Sequence, residues 1–196
     1  MQIKEKSTFL FLVGRQMFRI MFKLFYRWDI KGVENIPKEG GAIIAPNHTS
    51  FFDPPLTGSA MKRPLYFMAK KELFDVPIFG WIIKRTNAFP VKRGVQDVNA
   101  MRHAFSLLKK WHLLLMFPEG TRSKDGKQGK AKAGPGMVAC NAQVPLVPVK
   151  IENTNIMLKF KRIKIEYGEP IYPPKEFTKS DYVVMSQKVL DKISKM

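Results

Sequence analysis

Short apolar runs that end at proline or in polar residues constrain this chain more than any other feature. Residues 41–45 read Gly-Ala-Ile-Ile-Ala and meet Pro46; residues 113–117 read Leu-Leu-Leu-Met-Phe and meet Pro118. Five apolar residues without alternation are too few for a buried helix and fit a strand covered on both faces. Residues 65–69 and 144–149 read the same way, and residues 87–91 add a strand that Pro90 confines to an end or an edge. Between them, Val98, Met101, Phe105 and Leu108 have helical spacing, residues 134–143 suit a helix, and a last helix starts near Thr178. Residues 156–166 alternate apolar and basic side chains, which predicts one or two half-exposed strands. Strands alternating with helices predict an α/β fold: a single domain with a mixed, largely parallel sheet flanked by helices. A length of 196 residues suits one such domain.

The first thirty residues differ. Residues 9–13 are apolar, but five residues fall far short of the roughly 20 that span a bilayer. Arg15, Arg19, Lys23 and Arg27 follow at intervals of four, with Met17, Phe18, Ile20, Met21, Phe22, Leu24, Phe25, Tyr26 and Trp28 among them. A broad apolar face beside a basic stripe predicts an amphipathic helix in a membrane interface, with Trp28 at headgroup level. Residues 1–30 are therefore read as a membrane-association segment and residues 31–196 as the domain. The alternative is a basic helix packed on the protein's own core. A signal peptide fits poorly, because cations interrupt the apolar stretch.

Charge narrows the partners. Lys and Arg number 34 against 16 Asp and Glu, a net charge of +18, so an acidic partner is expected: nucleic acid, an anionic membrane or an acidic substrate. Cys140 is the single cysteine, which excludes a disulfide framework, and no motif calls for a metal or nucleotide cofactor. Residues 123–132, with Gly126, Gly129 and four lysines, read as a mobile loop.

Three strands run straight into reactive side chains. Asn47-His48-Thr49-Ser50-Phe51-Phe52-Asp53 follows the first of them. His48 can take a proton near neutral pH if Asp53 fixes its tautomer, and that pairing needs a tight turn or helix entry, which Pro54 and Pro55 favour. Phe89-Pro90-Val91-Lys92-Arg93-Gly94 and Phe117-Pro118-Glu119-Gly120-Thr121-Arg122-Ser123 close two more. In open α/β sheets the ligand crevice lies beyond the carboxyl ends of the strands, and Lys and Arg together suit a phosphate.

These blocks, with Val144-Pro145-Leu146-Val147-Pro148-Val149 as the fourth, resemble the ordered motifs of the glycerolipid acyltransferases, and most of all the bacterial 1-acyl-glycerol-3-phosphate acyltransferases. The resemblance covers residues 31–172. It implies that His48 deprotonates the free hydroxyl of lysophosphatidic acid while Asp53 orients it, and that the hydroxyl attacks an acyl-carrier-protein or acyl-CoA thioester directly. It implies that Lys92 or Arg93, with Arg122, holds the acceptor phosphate. Glu119, Gly120 and Thr121 would form the acceptor pocket, and residues 144–149 would line or support the acyl site. An anionic membrane surface on the cytoplasmic face would be the place of action, with no nucleic-acid partner. Relatives acting on glycerol 3-phosphate or other lysolipids share these motifs. A nucleic-acid binder and a catalytically silent membrane module are the rivals from other classes. The first lacks a basic recognition element with stacking aromatics, and the second has no reason to keep His48, Asp53, Glu119 and Arg122 together.

Overall fold

The apolar runs occupy the middle of one sheet, where strands that lack a polar face belong. The computed structural model describes residues 9–92, 94, 95, 97–123 and 128–196. Within them the strands are β1 (Asp29–Lys31), β2 (Ala42–Pro46), β3 (Leu65–Lys70), β4 (Ala88–Val91), β5 (Leu113–Leu115), β6 (Leu146–Glu152) and β7 (Lys164–Tyr167). The helices are α1 (Phe9–Tyr26), α2 (Asp53–Ala60), α3 (Phe79–Lys84), α4 (Val98–Lys109), α5 (Ala133–Ala142) and α6 (Lys179–Lys195). Across the sheet the order is β1-β7-β6-β2-β5-β3-β4. The five strands from β6 to β4 are parallel, β7 runs antiparallel to β6, and β1 runs parallel to β7. The expected mixed, largely parallel α/β sheet is what forms, and Pro90 sits in its edge strand β4.

Alternation along each strand divides the core in two. Ala42, Ile44, Leu113, Leu115, Val147 and Val149 face Leu56 and Ala60 of α2 and Phe22 and Tyr26 of α1. Ile43, Ala45, Leu114 and Leu146 face Ala104 and Leu108 of α4, Val138 and Ala139 of α5, and Val189 and Ile193 of α6. The helix expected near Thr178 has a full capping box: Thr178 caps the first turn and the Asp181 side chain reaches back to the Thr178 N–H.

Three local readings change. Of the one or two half-exposed strands expected over residues 156–166, one forms, and late: Asn153 turns left-handed (φ 70°), residues 154–159 form a 3-10 turn, and β7 begins at Lys164. Trp28 is half-buried rather than free: its ring stacks on Phe22, with centroids 5.8 Å apart, because Arg27 ends α1 in a left-handed conformation (φ 41°) and folds the chain back into β1. The basic stripe is also uneven: Arg15 donates to the Lys62 carbonyl, whereas Arg19 and Lys23 are exposed. The loop reading over 123–132 falls partly on residues 124–127, outside the described residues.

Candidate active site

His48 and Asp53 meet because the chain is pinned before and after them. At the exit of β2, the Asn47 side chain donates to the Ile151 carbonyl at 2.9 Å and accepts from the Ile151 N–H at 2.7 Å, so it ties the strand end to β6. The chain then loops, and Asp53 opens α2 with Pro54 and Pro55 in its first turn. Asp53 is fully buried. Its Oδ2 accepts the His48 Nδ1–H at 2.9 Å and the N–H groups of Thr49 and Ser50 at 2.7 Å each. Its Oδ1 accepts the Thr154 hydroxyl at 2.6 Å. A carboxylate is an acceptor only, so Nδ1 carries the proton of the neutral imidazole, and Nε2 is the nitrogen that can act as a base. The ring lies flat on Phe117, with centroids 3.7 Å apart and planes 12° apart. Orientation, tautomer and plane of His48 are thus all fixed.

The exit of β5 closes on the same point. Glu119 is buried, and its carboxylate accepts the His48 N–H at 3.3 Å and the Gly129 N–H at 2.7 Å. The Ser123 N–H donates to the His48 carbonyl at 2.8 Å. Gly120 makes the turn between them at φ 72°. Thr121 and Arg122 are exposed, and the Arg122 guanidinium stands 3.7 Å over the Phe51 ring.

Of the residues singled out from sequence, His48, Asp53, Glu119, Gly120, Thr121 and Arg122 therefore gather where β2 and β5 end. Lys92 stands at the same edge of the sheet, exposed, at the end of β4. Three strand spacings separate β4 from β2, roughly 14 Å. The Lys92 N–H bonds to Asp97 at 2.9 Å, and this bond with the Ala100 N–H holds the Asp97 carboxyl below its usual range. Arg93 lies outside the described residues. Thr154 is the site residue that sequence reasoning missed. It sits 101 positions from Asp53, so no local pattern could link them.

The acyltransferase family model matches residues 27–152, well over half of the chain. The chain belongs to the acyltransferase family. Among relatives with acyltransferase names, it is 33% identical over 162 residues to the chloroplastic 1-acyl-sn-glycerol-3-phosphate acyltransferase BAT2 of Brassica napus, covering 77% of this chain and 47% of that protein. It is 30% identical over 143 residues to the 1-acyl-sn-glycerol-3-phosphate acyltransferase of Bacillus subtilis, covering 71% of each. The chain spans about half, or less, of the plant acyltransferases it matches. The crystal structure of the 1-acyl-sn-glycerophosphate acyltransferase PlsC from Thermotoga maritima superposes with a TM-score of 0.72 at 29% identity, over 93% of this chain and 79% of that one.

Proposed function

We propose that the chain transfers a fatty acyl group from an acyl-carrier-protein or acyl-CoA thioester to the free hydroxyl of 1-acyl-glycerol 3-phosphate, forming phosphatidic acid. One observation carries this reading: Asp53 locks the Nδ1 proton of His48, which leaves Nε2 at a partly open edge as a base. Nε2 takes the hydroxyl proton as the oxygen attacks the thioester carbonyl, and the thiol leaves. A base of this kind contributes about 10²–10⁴-fold in rate. No covalent acyl-enzyme is required, and Cys140 is unsuited to form one, since it is fully buried and burial raises its thiol pKa. Arg122, Lys92 and Arg93 supply the cations for the acceptor phosphate, while Glu119, Gly120 and Thr121 shape its approach. Glu119 does so by holding the backbones of His48 and Gly129.

The acceptor is a lipid, and α1 is suited to bring the enzyme to it. Phe22 and Tyr26 root α1 in the core, while Phe9, Val13, Met17, Ile20 and Leu24 are exposed beside Arg19 and Lys23. Among the described residues no helix is long and apolar enough to cross a membrane. A helix lying in the interface of an anionic leaflet, on the cytoplasmic face, fits this pattern.

The test is thiol release from acyl-CoA and from acyl-carrier protein, with and without lysophosphatidic acid, for wild type and His48→Ala. Acceptor-dependent release lost in the variant supports direct transfer. Release without acceptor points to thioester hydrolysis, and release only with glycerol 3-phosphate or another lysolipid reassigns the acceptor.

A further inference from the structure

Between β3 and β4, the large apolar side chains around α3 face outward. Val76 is 46% exposed, Ile78 78%, Phe79 46%, Trp81 54% and Ile82 39%. A surface helix ordinarily turns such residues to the core; this segment does the reverse. The buried residue of α3 is Gly80, and a Cβ there would stand 2.2 Å from the Phe74 carbonyl oxygen. Bare backbone docks, and the bulk points away. Ile78 sits at the tip with φ 60° and ψ −58°, and the Phe79 N–H bonds back to the Pro77 carbonyl at 2.6 Å. That is a γ-turn of the strained hand, centred on a β-branched residue. Strain that holds an isoleucine in water does nothing for the core of this chain. Lys70, Lys71, Lys84 and Arg85 flank the patch against Glu72 and Asp75, a local excess of two positive charges. Lys70 pairs with Glu72 at 3.5 Å, and the Arg85 guanidinium lies 4.3 Å over Trp81. An aromatic ring beside a cation suits the headgroup level of a bilayer.

The geometry points to residues 76–82 as a second membrane-inserting element, separate from α1, that enters the surface of an anionic phospholipid bilayer. The segment follows the carboxyl end of β3, the edge at which His48 stands. α1 instead crosses one face of the sheet, with Arg15 bonded to Lys62 just before β3 begins. Two separated contacts fix the tilt of the molecule, so the site edge meets lipid rather than rocking away from it. The inference rests on the membrane reading of α1 and extends it.

Cys140 is buried, so a cysteine introduced at the surface is the accessible thiol among the described residues. The full chain carrying Val13→Cys, Ile78→Cys or Tyr172→Cys is labelled with an environment-sensitive fluorophore and mixed with vesicles of equal parts phosphatidylglycerol and phosphatidylcholine. Tyr172 is 69% exposed beside Gly41 and Pro145, at the opposite edge of the sheet. The label at 78 is expected to shift to the blue and to be quenched by lipid-borne nitroxide, with the label at 172 unchanged. Unlabelled Ile78→Ser should partition into the vesicles about tenfold less. A response at 13 without one at 78 overturns the second contact and leaves the α1 reading standing. No response at either position overturns both. A blue shift at 78 that grows with protein concentration in the absence of vesicles assigns the patch to self-association and overturns the inference. Acyl transfer measured in detergent micelles reads the catalytic proposal apart from both contacts.

Discussion

The Thr154 hydroxyl donates to Asp53 Oδ1 at 2.6 Å, across 101 residues of sequence, and completes a shell of four donors around one buried carboxylate. The orientation of His48 therefore depends on a 3-10 turn that follows β6, on the far side of β2 from the β5 exit. Thr154 also stands 3.2 Å from the Thr49 hydroxyl, so the turn and the loop carrying His48 are joined twice.

Thr154→Val should lower kcat with little change in acceptor KM, because the lost bond orients the base and does not touch substrate. A hydrogen bond to a charged group is worth about 1.5–3 kcal/mol, so a fall of roughly tenfold or more is expected. Thr154→Ser should restore most of the rate. Steady-state kinetics on the two variants checks this, and a Val variant with wild-type kcat would remove Thr154 from the positioning of Asp53.

Arg122→Ala should raise the acceptor KM or lower kcat/KM by the loss of a charge-assisted contact, about 1.5–3 kcal/mol. The ring beneath the guanidinium gives a second handle, since Phe51→Ala removes the support 3.7 Å away without removing the charge. Its effect should have the same sign and be smaller. Kinetics of both variants against lysophosphatidic acid concentration decides the matter.

Gly136 and Gly134 lie two residues apart in α5 and should respond unequally to alanine. A Cβ at Gly136 would stand 1.9 Å from the Tyr182 carbonyl oxygen, so Gly136→Ala must force α5 and α6 apart, at a cost of about 1–3 kcal/mol. At Gly134 the nearest atom beyond its chain neighbours is the Met116 methyl at 4.0 Å, so alanine there meets only the restriction that Pro135 places on the residue before it and should cost less than Gly136→Ala. Denaturant unfolding midpoints measure the difference.

The carboxyl of Asp181 is held below its usual range by the Thr178 N–H and hydroxyl. A depressed carboxyl stabilises the fold above its unfolded pKa, and that contribution is lost as pH falls through the lower folded value. The Tm of Asp181→Asn should therefore lie below wild type at neutral pH, and the gap should begin to narrow near the unfolded value of roughly 4 and go on closing as pH falls through the lower folded value. Thermal melts across this pH range measure it.

Cys140 has no exposed surface in α5, and burial raises its thiol. A disulfide reagent should leave the native chain unmodified and react with one thiol per chain in denaturant. Rapid labelling of the native protein would show that α5 opens readily.

Much of this protein was fixed by local sequence. Runs without alternation made β2 and β5 central, since each must bury both faces, and Pro90 could be accommodated only at an edge. The His48-to-Asp53 spacing with two prolines behind it prescribed a loop and a helix entry, and the block from Phe117 to Ser123 marked the second wall of the site. These signals act over a few residues, where backbone geometry and hydrophobic period are decided. Tertiary structure settled what depends on neighbours distant in the chain. Thr154 became a partner of Asp53 only when β6 lay beside β2, and the Asn47 clamp on Ile151 needed the same pairing. The alternation over 156–166 suggested strands, yet Asn153 turns the chain there and leaves only four residues to pair as β7. Trp28 carried the chemistry of an interface anchor, but the reversal at Arg27 placed it on Phe22. Local pattern reports which faces must be buried; which surface buries them is settled by contacts between segments that the sequence keeps far apart.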